Sequence, residues 1–318
     1  MFQKSGKVLR KILITEINKV FAVKFFLLLS CIYAQVDQRF DLYDWEILGH
    51  NESISSISEG YQYVFFATNS NGILRYNKFS RSFDKNLYQG QGIKSQKINQ
   101  IYFDKNTGIL WLVGDSGIEF SNSREGNWNQ INFNRVGIKS LKSIEDFGSS
   151  NSFLWIKTFS NYIKLDHVSG TFLGTFAYPD EDNIDWGDIN FKNNLYSRSL
   201  SFNDYFIQDG WLLGDKDAAD NNGVFYRYSS YLETESGISW IGLSNGQLLM
   251  IDDFSRNIYP TSTSIGMALP LTISTNDLIW IGGISSINNA SISSISKDFK
   301  EITNLKDSNY SNFSKVDF

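Results

Sequence analysis

From about residue 46 to residue 303 the chain alternates short apolar bursts with polar turns rich in Gly, Asn, Asp and Ser. In "SGISWIGLSNGQLLMID", residues 236 to 252, an apolar burst around Trp240, a turn carrying a glycine and a second apolar burst predict two strands of a hairpin. One such hairpin is marginally stable in water, so the segment implies neighbours in a larger sheet. Aligned on Trp240, equivalent bursts fall at Phe66, Trp111, Trp155, Tyr196 and Trp280, at steps of 45, 44, 41, 44 and 40 residues. A period of this length with an aromatic at each phase point suits a four-stranded unit and is too long for leucine-rich, ankyrin or tetratricopeptide repeats.

Within each unit an inner strand precedes the aromatic burst: "SISSISE" before Phe66, "KINQIYFD" before Trp111 and "LKSIEDF" before Trp155. Polar turns such as "KNTG" and "GSSNS" separate these two strands. A third strand follows a Gly or Asn turn ("GILRYN", "GIEFS", "QLLMID"), and a more irregular outer strand closes the unit ("SFDKNLY", "NWNQINF", "FKEIT"). The fold class is therefore all-β: a β-propeller of four-stranded blades, with six blades recognisable and one propeller domain over residues 35–318. Trp111, Trp155, Trp240 and Trp280 recur in phase and are expected to pack between blades, each burying about 150–250 Å². Two terminal segments, "YDWEIL" (43–48) and "SNFSKVDF" (311–318), read as the outer and inner strands of one further blade. Either the ring has six blades with spare terminal strands, or a seven-bladed design lacks two middle strands. The second reading predicts an open wedge between the first and last blades, or a wedge bridged by those strands alone.

Composition supports sheet over helix and over disorder. Aromatic residues make up 15 % of the 318 positions, charged residues only 20 %, and there are three prolines. The formal charge of -5, with no Lys/Arg cluster after residue 24, argues against nucleic acid as a partner and leaves cations open. The opening residues are basic ("MFQKSGKVLRKILITEINKVFAVK") and then apolar ("FFLLLSCIYA"), which predicts an export signal over residues 1–34. Lys24 makes the apolar run too short for a transmembrane helix. The expected location is periplasmic or extracellular, with no membrane span in the mature chain. The single cysteine, Cys31, sits in "LLSC", which resembles a bacterial lipoprotein box and would anchor the protein to the outer membrane. In neither case does the mature chain carry a disulfide.

The segment "SWIGLSNGQLLMID" resembles the two-component regulator propeller repeat: an acidic residue, a Gly turn, a Trp-Ile-Gly-Thr strand, a second turn and a strand ending Tyr-Asp. The fifth repeat carries the pattern closely, the second and sixth recognisably, and the first, third and fourth have lost several positions. The resemblance implies a seven-bladed propeller, of the kind found as the periplasmic sensory part of hybrid sensor kinases and in free-standing exported proteins. No kinase or DNA-binding module is legible here, so a signalling role would need a separate membrane kinase.

Little in the sequence points to catalysis. The two histidines, His50 and His167, fall at a strand start and in a turn and read as surface residues; neither belongs to a zinc or triad motif. Acidic groups are the remaining chemistry. "YPDEDNIDWGD" carries Asp180, Glu181, Asp182, Asp185 and Asp188, and "GDKDAADNNG" carries Asp215, Asp217 and Asp220. Both are expected to connect blades on one face, flanking the fourth blade, and Asp182, Asp185, Asp215 and Asp217 are candidate ligands for Ca2+, a hard cation that prefers oxygen. No cofactor is required by any motif. Trp186 and Trp211 lie out of phase, beside the acidic stretches, and are candidates for stacking on a sugar or other ligand. The leading functional expectation is an exported, non-enzymatic module that binds a protein, a glycan or a small ligand on its loop-rich face. The alternatives are a carboxylate-dependent carbohydrate-active enzyme, a glycoside hydrolase or lyase, and a sensor subunit of a separate two-component kinase.

Overall fold

The structure, a computed structural model, describes residues 53–121, 127–187, 202–207, 210–233, 237–261, 267–273, 278–284, 290–296 and 302–305, apart from positions 71 and 203. The chain divides into two compact units, 1–45 and 46–318. The first lies wholly outside the described residues, as do the expected export signal, Cys31, His50, both terminal strand segments, Asp188 and the phase residue Tyr196.

The second unit is a β-propeller. Five sheets are described, and three are plain four-stranded antiparallel meanders: the first blade (Ile54–Glu59, Tyr63–Thr68, Ile73–Asn77, Ser82–Leu87), the second (Ile98–Asp104, Ile109–Gly114, Gly117–Ser121, Trp128–Ile131) and the sixth (Met267–Ile273, Leu278–Ile284, Ala290–Ser296, Ile302–Leu305). The third blade (Ile144–Ser149, Phe153–Thr158, Tyr162–Asp166, Phe172–Phe176) and the fifth (Phe225–Glu233, Ile238–Leu243, Leu248–Asp252, Asn257–Thr261) have the same meander with strands added at their edges. Strands buried on both faces read as near-continuous apolar runs, and "ILWLVG" is buried at all six positions.

Blades stack through alternate side chains. Trp111 shares a core with Phe147, Leu154 and Ile156 of the third blade, Trp240 with Ile279 and Ile281 of the sixth, and Trp280 with Ile54, Ile57 and Phe66 of the first. The indoles of Trp111, Trp155 and Trp240 are fully buried, and Trp280 nearly so. At the inner strands the first blade meets the second through hydroxyls: the Ile101 and Phe103 backbone N–H groups donate to Ser56 Oγ at 3.2 Å and Ser58 Oγ at 2.9 Å. Small polar side chains let these strands approach closely while satisfying backbone donors.

Two expectations are corrected here. The first and sixth blades pack directly, with the Phe66 and Trp280 rings 5.7 Å apart, so no open wedge separates them and no seventh sheet lies between them among the described residues. The second concerns phase. Phe66 faces backwards onto Trp280, and it is Phe65 that faces the second blade, stacked on Phe103 at 5.9 Å. Phe65, Trp111 and Trp155 are each the third residue of their strand (Tyr63–Thr68, Ile109–Gly114, Phe153–Thr158), so Phe66 stands one residue out of phase. That shift of one residue exchanges the faces of the strand.

The fourth repeat builds no meander among the described residues. Asp185–Trp186 pairs antiparallel with the inner strand of the third blade. Asp217–Ala219 and then Leu212–Leu213 extend the inner edge of the fifth, and Phe206–Ile207 adds a parallel strand at its outer edge. Phe202, Tyr205, Ile207, Trp211 and Leu213 cover the face of the fifth blade that presents Ile241, Leu243 and Ile258. Trp211 is thus 8 % exposed and part of a core.

Candidate functional site

The pleat of the third blade divides its side chains into two sets. Leu154, Ile156, Ile163 and Leu165 point into the core shared with the second blade. Phe153, Trp155, Tyr162, Lys164 and Phe176 alternate with them and form the opposite face. Cross-strand register puts Trp186, Gly148, Trp155, Lys164 and Gly174 in one row on that face.

Among the described residues this face is covered by a strap, residues 178–187. Lys164 is only 7 % exposed, and its ammonium lies 3.9 Å from the centroid of the Phe153 ring, 5.0 Å from Trp155 and 5.7 Å from Phe176. Cation–π attraction at such distances contributes about 0.5–2 kcal/mol, yet a buried ammonium still needs an anion. Asp180 supplies it, with its two carboxylate oxygens 2.8 and 2.9 Å from Lys164 Nζ. The next residue, Glu181, accepts the indole N–H of Trp155 at 2.9 Å. Two consecutive strap carboxylates therefore satisfy the two buried donors of the face.

The far end of the strap is pinned at the inner edge of the blade. Asp185 pairs with Ser149 and Trp186 with Gly148, and the Gly187 N–H donates to Phe147 O at 2.7 Å. Gly148 is required by the close approach, because a Cβ there would lie 2.6 Å from the Trp186 ring. Tyr102 of the second blade donates its hydroxyl to Asp185 O at 3.0 Å and lies 2.8 Å from Ser149 Oγ. Burial, the largest cause, pushes the Tyr102 phenol well above its usual range, so it stays a neutral donor. Trp186 is half-buried, its ring 5.9 Å from Tyr162.

The second acidic stretch sits on the fifth blade. Asp217 lies opposite Arg227 in the sheet, and Asp215 is exposed. The Tyr228 hydroxyl donates to Gly214 O at 2.8 Å, and its pKa is raised by burial and then by the charges of Asp217 and Asp215. Asp182 and Asp185 belong to the strap and are exposed. Among the described residues no three His, Cys, Asp or Glu side chains come together to hold a metal ion, so the four candidate calcium ligands are divided between two places.

Sequence reasoning passed over Lys164, which reads as an outward polar residue in "YIKLD". It also placed His167 on the surface. That side chain is 12 % exposed, with Nδ1 3.3 Å from Oδ2 of the buried Asp104. Nδ1 has no hydrogen-bond partner among the described residues, so the imidazole packs beside this carboxylate between the second and third blades.

No protein-family model matches the chain, and no curated protein matches it. Solved structures similar to it include Sqt1 of Saccharomyces cerevisiae, at 12 % identity and a TM-score of 0.43, over 81 % of this chain and 86 % of that one. The extracellular domain of the hybrid two component system BT3049 from B. thetaiotaomicron aligns at 17 % identity and a TM-score of 0.30, over 81 % of this chain and 31 % of that one. PorZ, a surface component of the type-IX secretion system of Porphyromonas gingivalis, aligns at 12 % identity and a TM-score of 0.40, over 82 % of this chain and 34 % of that one. The chain thus spans about a third of the length of the two bacterial proteins. Among the described residues no helix is long and apolar enough to cross a membrane.

Proposed function

We propose that this is an exported, non-enzymatic propeller of the two-component regulator propeller kind, acting as a binding module at the face of its third blade. The observation that carries the reading is the cover on that face. A lysine and four aromatic rings, the chemistry of a recognition surface, lie beneath a strap whose Tyr178, Asp180, Asp182 and Asp185 are exposed. The basic-then-apolar start of the sequence supports export, and "SWIGLSNGQLLMID" supports the family. The ligand classes open to such a face are protein, glycan and small molecule; the net charge of -5 disfavours nucleic acid.

The test is binding of purified residues 35–318 to arrays of peptides and bacterial glycans, read with product analysis of the same arrays. Saturable binding without product release is expected. Cleaved peptide or freed sugar, or no saturable binding to either array, overturns the reading. Mass spectrometry of the mature protein tests export: Gln35 or a diacylated Cys31 as the first residue supports it, and an intact Met1 in the cytoplasm contradicts it.

A further inference from the structure

We propose that the recess formed by Lys164, Trp155, Phe153 and Phe176 is a receptor for a peptide bearing two adjacent carboxylates, held closed in cis by Asp180 and Glu181. This rests on the binding-module reading and names its ligand class.

Three observations lead to it. First, the two sides of the contact differ in depth. Trp155 is fully buried and Lys164 nearly so, while the strap side is open: Tyr178 is 81 % exposed, and Asp180, Asp182, Asn183 and Asp185 are exposed as well. The strap is thus a thin outer layer on a finished surface. Second, blade stacking does not itself demand a carboxylate on the phase tryptophan. The Trp111 and Trp280 indole N–H groups are buried with no hydrogen-bond partner among the described residues, whereas Trp155 meets Glu181. Third, the donors are spaced for neighbouring acids, one carboxylate on the ammonium and the next on the indole N–H. Charge-assisted hydrogen bonds of this kind are the strong ones, and the low polarity of the surrounding rings strengthens them.

A strap tethered to its own blade acts at an effective concentration in the millimolar range, so a free peptide competes poorly until the cis carboxylates are removed. Asp180→Asn with Glu181→Gln leaves the recess and its rings in place without that competitor. The probe is the acetylated, amidated peptide AYPDEDN, matching residues 177–183, with AYPNQDN as the control lacking the paired acids. By calorimetry the double variant should bind AYPDEDN at least tenfold more tightly than the parent does, and tenfold more tightly than it binds AYPNQDN. Adding Lys164→Met should abolish the difference between the two peptides. Equal affinity for both peptides in the double variant, or a preference that survives Lys164→Met, overturns the proposal. If the double variant does not fold, Glu181→Gln labelled at its indole nitrogens decides: millimolar AYPDEDN should shift the Trp155 resonance and AYPNQDN should not, and identical spectra overturn it. Saturable array binding that is blind to acidic peptides would leave the binding module standing and remove this receptor.

Discussion

The turn between the third and fourth strands recurs as Asn77-Lys78-Phe79-Ser80-Arg81, Asp166-His167-Val168-Ser169-Gly170 and Asp252-Asp253-Phe254-Ser255-Arg256. Its first side chain accepts hydrogen bonds from the backbone N–H groups two and three residues on, and its last residue is left-handed, with φ of 54° at Arg81, 69° at Gly170 and 52° at Arg256. A left-handed backbone costs a residue with a Cβ about 1–2 kcal/mol, and Asn tolerates it better than Arg. Arg81→Asn is therefore expected to stabilise the protein by about 0.5–1 kcal/mol in urea unfolding; an unchanged midpoint would show that the turn relaxes the strain. The Ser169 backbone N–H and hydroxyl hold Asp166 below its ordinary 3.8, and the Ser255 hydroxyl and backbone N–H do the same for Asp252. With the folded value depressed, the stabilisation is present above the unfolded value and is lost as pH falls through the folded one. The stability gap between the parent and the Asp166→Asn, Asp252→Asn variant should thus narrow as melts are taken from about pH 5 to about pH 2. A gap independent of pH would contradict this. The turn was legible in the sequence, since "NKFSR", "DHVSG" and "DDFSR" repeat, but an alignment anchored on tryptophans looks only at the strands.

At the scale of elements, strands and straps differ in what specifies them. The inner three strands of each blade carry their own apolar pattern, so "KINQIYFD", "ILWLVG" and "GIEFS" can be read as strands without a partner. The strap has no such pattern. "YPDEDNIDWGD" looks like a solvated acidic loop because what orders it is supplied elsewhere: the missing side chain of Gly148, the Lys164 charge and the Tyr102 hydroxyl. The same holds for Trp211, out of phase in sequence yet in the core because it covers the fifth blade together with Phe202, Tyr205, Ile207 and Leu213. Gly148→Val should place methyl groups where the Trp186 ring now lies, costing about 1–3 kcal/mol and lifting the end of the strap. Limited proteolysis should then cut within residues 178–187 much faster than in the parent, with the third blade still folded. Unchanged cleavage would mean that Trp186 does not hold the strap.

At the scale of the whole propeller unit, the period set the number of repeats and the tryptophan phase, while closure depended on contacts between residues more than 200 positions apart. Phe66 and Trp280 meet edge to face, and such pairs contribute about 0.5–1.5 kcal/mol beyond buried area. A double-mutant cycle with Phe66→Leu and Trp280→Leu should show coupling of that order; additive effects would place the first and sixth blades apart. The central claim is that residues 178–187 are a removable strap laid over a third blade that stands without it. Hydrogen–deuterium exchange by mass spectrometry, on the parent and on Asp180→Asn, tests this most directly. The account predicts that the amides of residues 178–187 exchange faster than those of Phe153–Thr158 and Tyr162–Asp166, and that Asp180→Asn accelerates the strap alone. Strap amides as slow as those two strands, or strands that loosen together with the strap in the variant, would contradict it.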